Sequence, residues 1–456
     1  MSFQTLNPAT GELLKEFPLQ TDAEVFAALD KAEHTYRNDW RLRPVAERVA
    51  VIARAAKILR EKRDEYAALP TLEMGKVARF SYLEVDLVAD ILDYYAQNGE
   101  RLLAPQALPN EPGATLLAEP IGVILAIEPW NFPFYQLVRV AAPQLIAGNV
   151  VMMKHAENVP QCALAFARLF EEAGAPEGAY TNLFCSIDQI GQLIEDFRIR
   201  GVALTGSERA GTSVGERAGR NLKKVILELG GSDPAIIMPG ADMDHAVEQV
   251  VMGRTYNSGQ GCVNIKRVIV IGRERGAQML AALKQKFAAI KVGDPNEEDT
   301  LIGPLVSERA LQGLLTQIEQ ARAAGATVVF GGNRVDRPGF YLQPTILTDI
   351  VPNNPLYTQE AFGPVLSFYV VDTEEEAIAL ANATPYGLGG YVFDTDTQNA
   401  RRIADQIDSG MVYINSCFAD SPGLPFGGVK NSGFGRELSE IGMGEFLNRK
   451  LIRVAE

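Results

Sequence analysis

Asn149-Val150-Val151-Met152-Met153-Lys154 is a short apolar run ending in a charge. Unbroken apolar residues of this length suit a strand buried on both faces. The segment Gln161 to Ala173 that follows has the apolar spacing of an amphipathic helix. Gly201-Val202-Ala203-Leu204-Thr205 is a second apolar strand, Val225 to Leu229 a third, and Thr115 to Ile127 upstream is strand-like as well. Strands alternating with helices imply a parallel sheet covered on both faces.

Outward from this core the pattern changes twice. Toward the N-terminus, Asn7-Pro8-Ala9-Thr10-Gly11-Glu12 is turn chemistry between two short strands, and Thr21 with Glu24 forms a capping-box signature. Val45, Val49, Ile52, Ala56 and Leu59 give one helix face its apolar stripe, and the first hundred residues read as helical scaffold without chemistry. Toward the C-terminus the alternation resumes. Strands are expected at Val268–Ile271, Thr327–Phe330, Val365–Val371, Gly390–Phe393 and Val412–Ile414. Helices are expected at Gly276–Ile290, Glu308–Ala324, Glu374–Asn382 and Thr397–Ile407. This is a second α/β domain, entered near residue 230. The final Leu447 to Val454 reads as a strand in search of an edge partner.

Composition narrows the function. A chain of 456 residues with 47% hydrophobic and 22% charged residues has ample material for two large domains or three smaller ones. Its net charge of -14, from 43 basic and 57 acidic residues, argues against a nucleic-acid partner. No apolar run approaches the ~20 residues of a membrane helix, so no membrane partner is expected. Met1-Ser2-Phe3-Gln4-Thr5 has neither the basic nor the apolar region of a targeting signal, and the expectation is a cytoplasmic protein. The four cysteines (Cys162, Cys185, Cys262, Cys417) lie too far apart for a disulfide framework. The three histidines show no metal-ligand spacing, so no metal is expected.

Several residues could carry chemistry. Asn257-Ser258-Gly259-Gln260-Gly261-Cys262 sets a thiol in a small, glycine-bearing run, where a substrate could approach closely. Cys262 reads either as a nucleophile or as a buried structural cysteine. Glu228, between Leu227 and Leu229 and just before Gly230-Gly231, is expensive to bury without a purpose. Desolvation would make it a general base; an ion-paired or capping glutamate is the other reading. Asn131 is the one polar side chain in the stiff loop Pro129-Trp130-Asn131-Phe132-Pro133, an amide able to donate to an oxyanion or simply a packed turn. Gly206-Ser207-Glu208-Arg209-Ala210-Gly211 opens a helix after a strand, a place for a cofactor phosphate. Lys154 and Glu157 suit ribose hydroxyls or solvent equally.

Taken in order, these segments resemble the aldehyde dehydrogenase superfamily over essentially the whole chain. The likeness rests on Pro129-Trp130-Asn131-Phe132-Pro133, Lys154-His155-Ala156-Glu157, Leu204-Thr205-Gly206-Ser207 with Gly211, and Glu228-Leu229-Gly230-Gly231. It continues with Gly259-Gln260-Gly261-Cys262, Glu360-Ala361-Phe362-Gly363-Pro364 and Pro425-Phe426-Gly427-Gly428-Val429-Lys430-Asn431-Ser432-Gly433. The resemblance implies a Rossmann-like cofactor domain (1-112 and 121-229), an α/β catalytic domain (230-428) and a small β oligomerisation element (113-120 and 429-456). A homodimer or homotetramer is then expected.

The same resemblance implies roles. Cys262 would attack the aldehyde, Asn131 would hold the oxyanion, and Glu228 would activate water against the thioester. Trp130, Lys154, Glu157, Gly206, Ser207, Gly211, Glu360 and Phe362 would bind the nicotinamide cofactor, with Glu360 on the ribose and Phe362 near the ring. Glu437 matches a glutamate that assists proton relay. A carboxylate at Glu157 favours NAD, with NADP possible. Lys154-His155-Ala156 and Gly433-Phe434-Gly435-Arg436-Glu437-Leu438-Ser439 resemble the short bacterial succinate-semialdehyde dehydrogenases, in which Arg139 would grip the distal carboxylate. The alternative for Arg139 is a structural ion pair. Departures from the usual pattern are His155 in place of proline, Val140 in place of lysine, and Tyr256 where larger members carry a second arginine. The loop Ser416 to Gly423 is a further source of substrate contacts. Glutarate semialdehyde is the alternative substrate, since one methylene is worth only ~1–3 kcal/mol in a pocket. A CoA-acylating enzyme and a retired, purely binding protein are the remaining alternatives.

Overall fold

A computed structural model describes residues 2–417 and 421–455. Two mostly parallel sheets carry the architecture, each flanked by helices. The first runs in the order Gly433–Phe434, Lys224–Glu228, Ile199–Thr205, Val123–Glu128, Val150–His155, Tyr180–Asn182, and only Gly433–Phe434 is antiparallel to its neighbour. Val150 to Met153 are wholly inaccessible, which accounts for their unbroken apolar run. The chain lays Val123–Glu128 first, adds the next two strands on one side and then returns to add two on the other. The connections therefore diverge between Val123–Glu128 and Ile199–Thr205, where an open α/β sheet takes its ligand.

The N-terminal helices Asp22–Asn38, Val45–Glu61, Arg63–Met74 and Ala78–Leu102 share one apolar core with this sheet. Thr21 and Glu24 close the expected capping box on the first of them. The helix Tyr135–Ala147 is buried at every position and carries Arg139 inward.

The second sheet has the order Thr327–Phe330, Thr345–Thr348, Val365–Val371, Arg267–Ile271, Pro234–Ile237, Gly389–Phe393, Met411–Ile414. It has its own cores. Thr345–Thr348 and Pro234–Ile237 were not expected from the sequence; each is only four residues long and leaves little periodicity to read. The helix expected over Thr397–Ile407 ends at Ala404.

Two segments divide where the sequence suggested single units. Thr115 to Ile127 is two strands in different sheets, Ala114–Pro120 and Val123–Glu128. The break is held by Asn149, whose Oδ1 accepts from Ile121 N (2.7 Å) and Gly122 N (2.9 Å). Those two N–H groups are thereby withdrawn from either ladder. The region 429–456 also divides. Gly433–Phe434 joins the first sheet beside Glu228, whereas Leu447–Arg453 pairs with Ala114–Pro120 in a separate three-stranded sheet with Gln106–Ala107. Gly433 is required there: a Cβ would lie 1.8 Å from Leu227 O. Among the described residues no helix is long and apolar enough to cross a membrane.

Candidate active site

Cys262 lies on the loop between the helix Met243–Thr255 and the strand Arg267–Ile271. Asn257, Ser258 and Gly259 are consecutive left-handed residues (φ 54°, 57° and 74°). That path bends the chain sharply before the thiol. Gly259 is fixed by contact as well, since a Cβ would meet Gly363 C at 2.3 Å. The fully buried Arg254 ties the bend down by donating to Gly259 O (2.5 Å) and Ile265 O (3.2 Å).

Asn131 is oriented by three neighbours. Its Nδ2 donates to Gln260 O (3.2 Å), its Oδ1 accepts from Gln136 Nε2 (3.1 Å), and its carbonyl accepts from Asn257 Nδ2 (2.8 Å). The amide N–H side therefore faces the loop that carries Cys262, as an oxyanion donor requires. Gln136 and Asn257, which enforce this, were not singled out from sequence because each acts through a residue more than a helical turn away.

Two cavities meet at the thiol. On one side a space of about 290 Å³ is lined by Trp130, Asn131, Thr205, Gly206, Ser207, Gly230, Glu360 and Phe362, among others. It opens at the sheet's divergence point, beside the N-terminus of the helix Glu208–Arg220. Trp130 and Phe362 face each other edge to face at 5.7 Å. Ser207 spends its hydroxyl capping the helix, accepting from Ala210 N. Gly211 lets Leu229 pack closely on that helix, 2.6 Å from where a Cβ would stand. The residues suit a dinucleotide: a glycine-opened helix N-terminus, a pair of aromatic rings and a carboxylate on one wall. On the other side lies a narrow apolar pocket walled by Leu87, Phe132, Tyr135, Tyr256, Val263 and Phe426. Cys262 is the one described residue that lines both. The other three cysteines are buried and line neither cavity. A larger groove of about 660 Å³ elsewhere, bordered by Lys31, Ala167 and Glu177, is lined by no cysteine.

Lys154 and Glu157 do not line the cofactor-side cavity. They sit one strand further along the same sheet edge, paired at 2.5 Å, with Lys154 buried and the Glu157 side chain 42% exposed. Burial works against the Glu157 charge, but Lys154 outweighs it and holds the carboxyl below its usual range.

Beneath the thiol is a buried charge cluster. In the parallel register Glu228 is opposite Thr205, and Glu128 follows Ile127, the partner of Leu204, so all three meet at one sheet edge. Arg139 lies over them, its Nε 2.6 Å from Glu437 Oε2 and its Nη2 donating to Thr205 Oγ1 (3.2 Å). Arg139 is thus in the ion pair that was its alternative reading. It packs against the Tyr135 and Phe426 rings of the apolar pocket (4.9 and 4.5 Å) without lining that pocket, and its Nη1 has no hydrogen-bond partner among the described residues. Neither carboxyl oxygen of Glu228 or Glu128 has one either. Glu228 lines neither cavity; its carboxyl abuts Gly427, where a Cβ would lie 2.5 Å from Oε1.

Burial pushes the Glu228 carboxyl well above the usual range, and Glu437 adds to the rise while Arg139 opposes it. Glu128 and Glu437 are raised by burial too. Three carboxyls around one guanidinium cannot all ionise cheaply. Burial likewise raises the Cys262 thiol to about 12, against the pull of Arg139 and Lys266. Glu128 was not singled out from the sequence, although a carboxylate ending the apolar strand Val123–Glu128 was a signal. Phe418, Ala419 and Asp420, in the loop expected to add substrate contacts, lie outside the described residues.

A divergent parallel sheet that opens on a cavity, meeting a thiol that also lines a second pocket, is the arrangement of an α/β enzyme with a cofactor cleft beside a candidate nucleophile. The chain belongs to the aldehyde dehydrogenase family, whose model matches residues 1–452. A protein of Deinococcus radiodurans named succinate-semialdehyde dehydrogenase [NADP(+)] is 50% identical over 99% of this chain and 94% of its own length. A structure solved to explain cofactor and substrate selection by Gox0499 is also 50% identical, with a TM-score of 0.98 over the full length of both chains. The succinic semialdehyde dehydrogenase of Streptococcus pyogenes, solved with NADP+ as the cofactor, is 45% identical, with the same TM-score and full coverage of both. The enzyme is therefore an NAD(P)-dependent aldehyde dehydrogenase.

Proposed function

We propose that this enzyme oxidises succinate semialdehyde to succinate, with NAD preferred over NADP. The observation that carries the reading is the position of Cys262, shared between the cofactor-side cavity and the apolar pocket. An aldehyde in that pocket presents its carbonyl carbon to Sγ; Glu228 takes the thiol proton and Glu437 passes it onward, and addition of the thiolate gives a thiohemiacetal. Its oxyanion is met by the Asn131 amide and the Cys262 backbone N–H. The nicotinamide supplies the hydride acceptor when bound, with Glu360 on its ribose and Trp130 and Phe362 about the ring. Glu228, strengthened as a base by burial, takes the proton of the water that cleaves the resulting thioester. Glu437 passes that proton onward. Thiolate leaves, and the acid is released.

The substrate assignment draws on the names of the Deinococcus and Streptococcus relatives and on Arg139. Its unpartnered Nη1, beside two rings of the pocket wall, is a donor suited to a carboxylate. Glu157 supports the cofactor preference, just past the second strand of the dinucleotide fold, where a carboxylate accepts ribose hydroxyls and repels a 2′-phosphate. Lys154 keeps that carboxylate charged. The outermost strand Leu447–Arg453 exposes Leu451 and Ile452, an edge suited to a homodimer or homotetramer.

The test is reduced-cofactor and acid formation by purified protein with succinate semialdehyde, glutarate semialdehyde and propanal, each with NAD and with NADP. Preference for succinate semialdehyde, lost in Cys262→Ala, is expected. Turnover that favours propanal would remove the substrate assignment and leave the family chemistry standing.

A further inference from the structure

Lys266 is 2% exposed and has a role in neither catalysis nor cofactor binding as described so far. Its Nζ donates to Gly261 O (3.0 Å) and Cys262 O (2.5 Å), and lies 3.1 Å from Glu360 Oε1. The three donors of the ammonium are thereby divided between the nucleophile's own backbone and the carboxylate on the cofactor-side wall. Glu360 Oε1 also accepts from Gly231 N (3.3 Å), so Lys266 and the Gly230-Gly231 turn together fix that carboxylate.

We propose that Lys266 is a positioning residue that couples cofactor binding to the nucleophile: its ammonium braces the Cys262 loop and is partly neutralised by Glu360 until Glu360 engages the ribose. The proposal rests on the reading of Glu360 as the ribose carboxylate. Four charged groups act on the thiol: Arg139 from the buried helix, Lys266 from the nucleophile loop, Glu360 from the wall of the cofactor-side cavity, and Asp233 from just before the strand Pro234–Ile237. Lys266 and Arg139 favour thiolate; Glu360 and Asp233 oppose it. Ribose hydroxyls bonded to Glu360 draw its charge away from Lys266, so more of the ammonium's field falls on Cys262. The thiol is then more nucleophilic with cofactor in place than without it.

The readout is the pH dependence of Cys262 alkylation by iodoacetamide, followed by mass, because the other three thiols are buried. ADP-ribose serves as the ligand: it carries the second ribose without the cationic nicotinamide ring. For the unaltered enzyme, ADP-ribose is expected to lower the apparent thiol pKa by about one unit, the scale of a neighbouring charge. In Lys266→Met the thiol pKa is higher and ADP-ribose leaves it in place, while Lys266→Arg restores part of the shift. Glu360→Gln without ligand is expected to resemble the liganded wild type. A full ligand-linked shift in Lys266→Met would overturn the proposal. So would a thiol unchanged in Glu360→Gln, which needs no ligand and so separates this inference from the ribose assignment. If Lys266→Met is too unstable to purify, the Glu360→Gln and Lys266→Arg arms decide alone. Calorimetric titration of Glu360→Gln with ADP-ribose tests the ribose assignment by itself, with weakened binding expected.

Discussion

Cys262 owes its reach to backbone geometry, and the residues that make the bend were visible in sequence as a run of small side chains before the thiol. Its chemical setting was visible only in part. Glu437 was named through its motif, but its ion pair with Arg139, the approach of Glu128 through strand register and that of Lys266 to Glu360 through loop packing carry no local pattern. Glu157 is a residue whose effect should be separable. Replacing it with Gln removes the charge that opposes a 2′-phosphate, and the ratio of kcat/KM for NADP over NAD should rise at least tenfold, on the order of 1.4 kcal/mol. An unchanged ratio would remove Glu157 from cofactor selection. Arg139→Ala should cost succinate semialdehyde far more kcat/KM than an uncharged aldehyde of similar length; equal losses would leave only its ion pair with Glu437. His155 carries a pH signature. It is fully buried, its Nδ1–H donates to Glu128 O (3.2 Å), and burial lowers its pKa from 6.5 to about 4. Its contribution to stability is complete above pH 6.5 and is lost as pH falls toward 4, because the unfolded chain binds the proton first. Between pH 7 and pH 5 the wild type should lose about 2 kcal/mol more than His155→Asn, read from denaturant midpoints.

Whole elements were legible where periodicity or an apolar run was long enough. Val150–His155, Ile199–Thr205 and Val365–Val371 needed no tertiary information beyond burial on both faces. The division of Thr115 to Ile127 was hidden because the residue that enforces it, Asn149, lies far along the chain, in the turn before the strand Val150–His155. Asn149 also donates to Gln144 Oε1 and Phe446 O (both 2.9 Å), so one amide joins the strand break, the buried helix and the C-terminal segment. Asn149→Ala would leave the buried Gly122 N–H and the half-buried Ile121 N–H without this acceptor, at about 1–3 kcal/mol for the buried one. A clear fall in calorimetric Tm is expected; an unchanged Tm would mean that the turn is held by other contacts.

Across the whole molecule, the first sheet opens on a cavity at its divergence point, and the loop leading into the strand Arg267–Ile271 of the second sheet brings a thiol against it. The order of motifs was enough to read that arrangement and the family, although not how the last segment would divide between two sheets. The exposed outer strand should govern assembly: Leu451→Glu with Ile452→Glu is expected to lower the molar mass measured by light scattering while leaving the fold intact. The same mass before and after would place the interface elsewhere. The proposed chemistry turns on Cys262 as the acylated residue and Glu228 as the group that releases it. Glu228→Gln, mixed with succinate semialdehyde and NAD and examined by intact-mass and peptide mass spectrometry, tests this most directly. The account predicts one equivalent of reduced cofactor and a succinyl group retained on Cys262. Sustained turnover without an adduct, or an adduct on another residue, would contradict it.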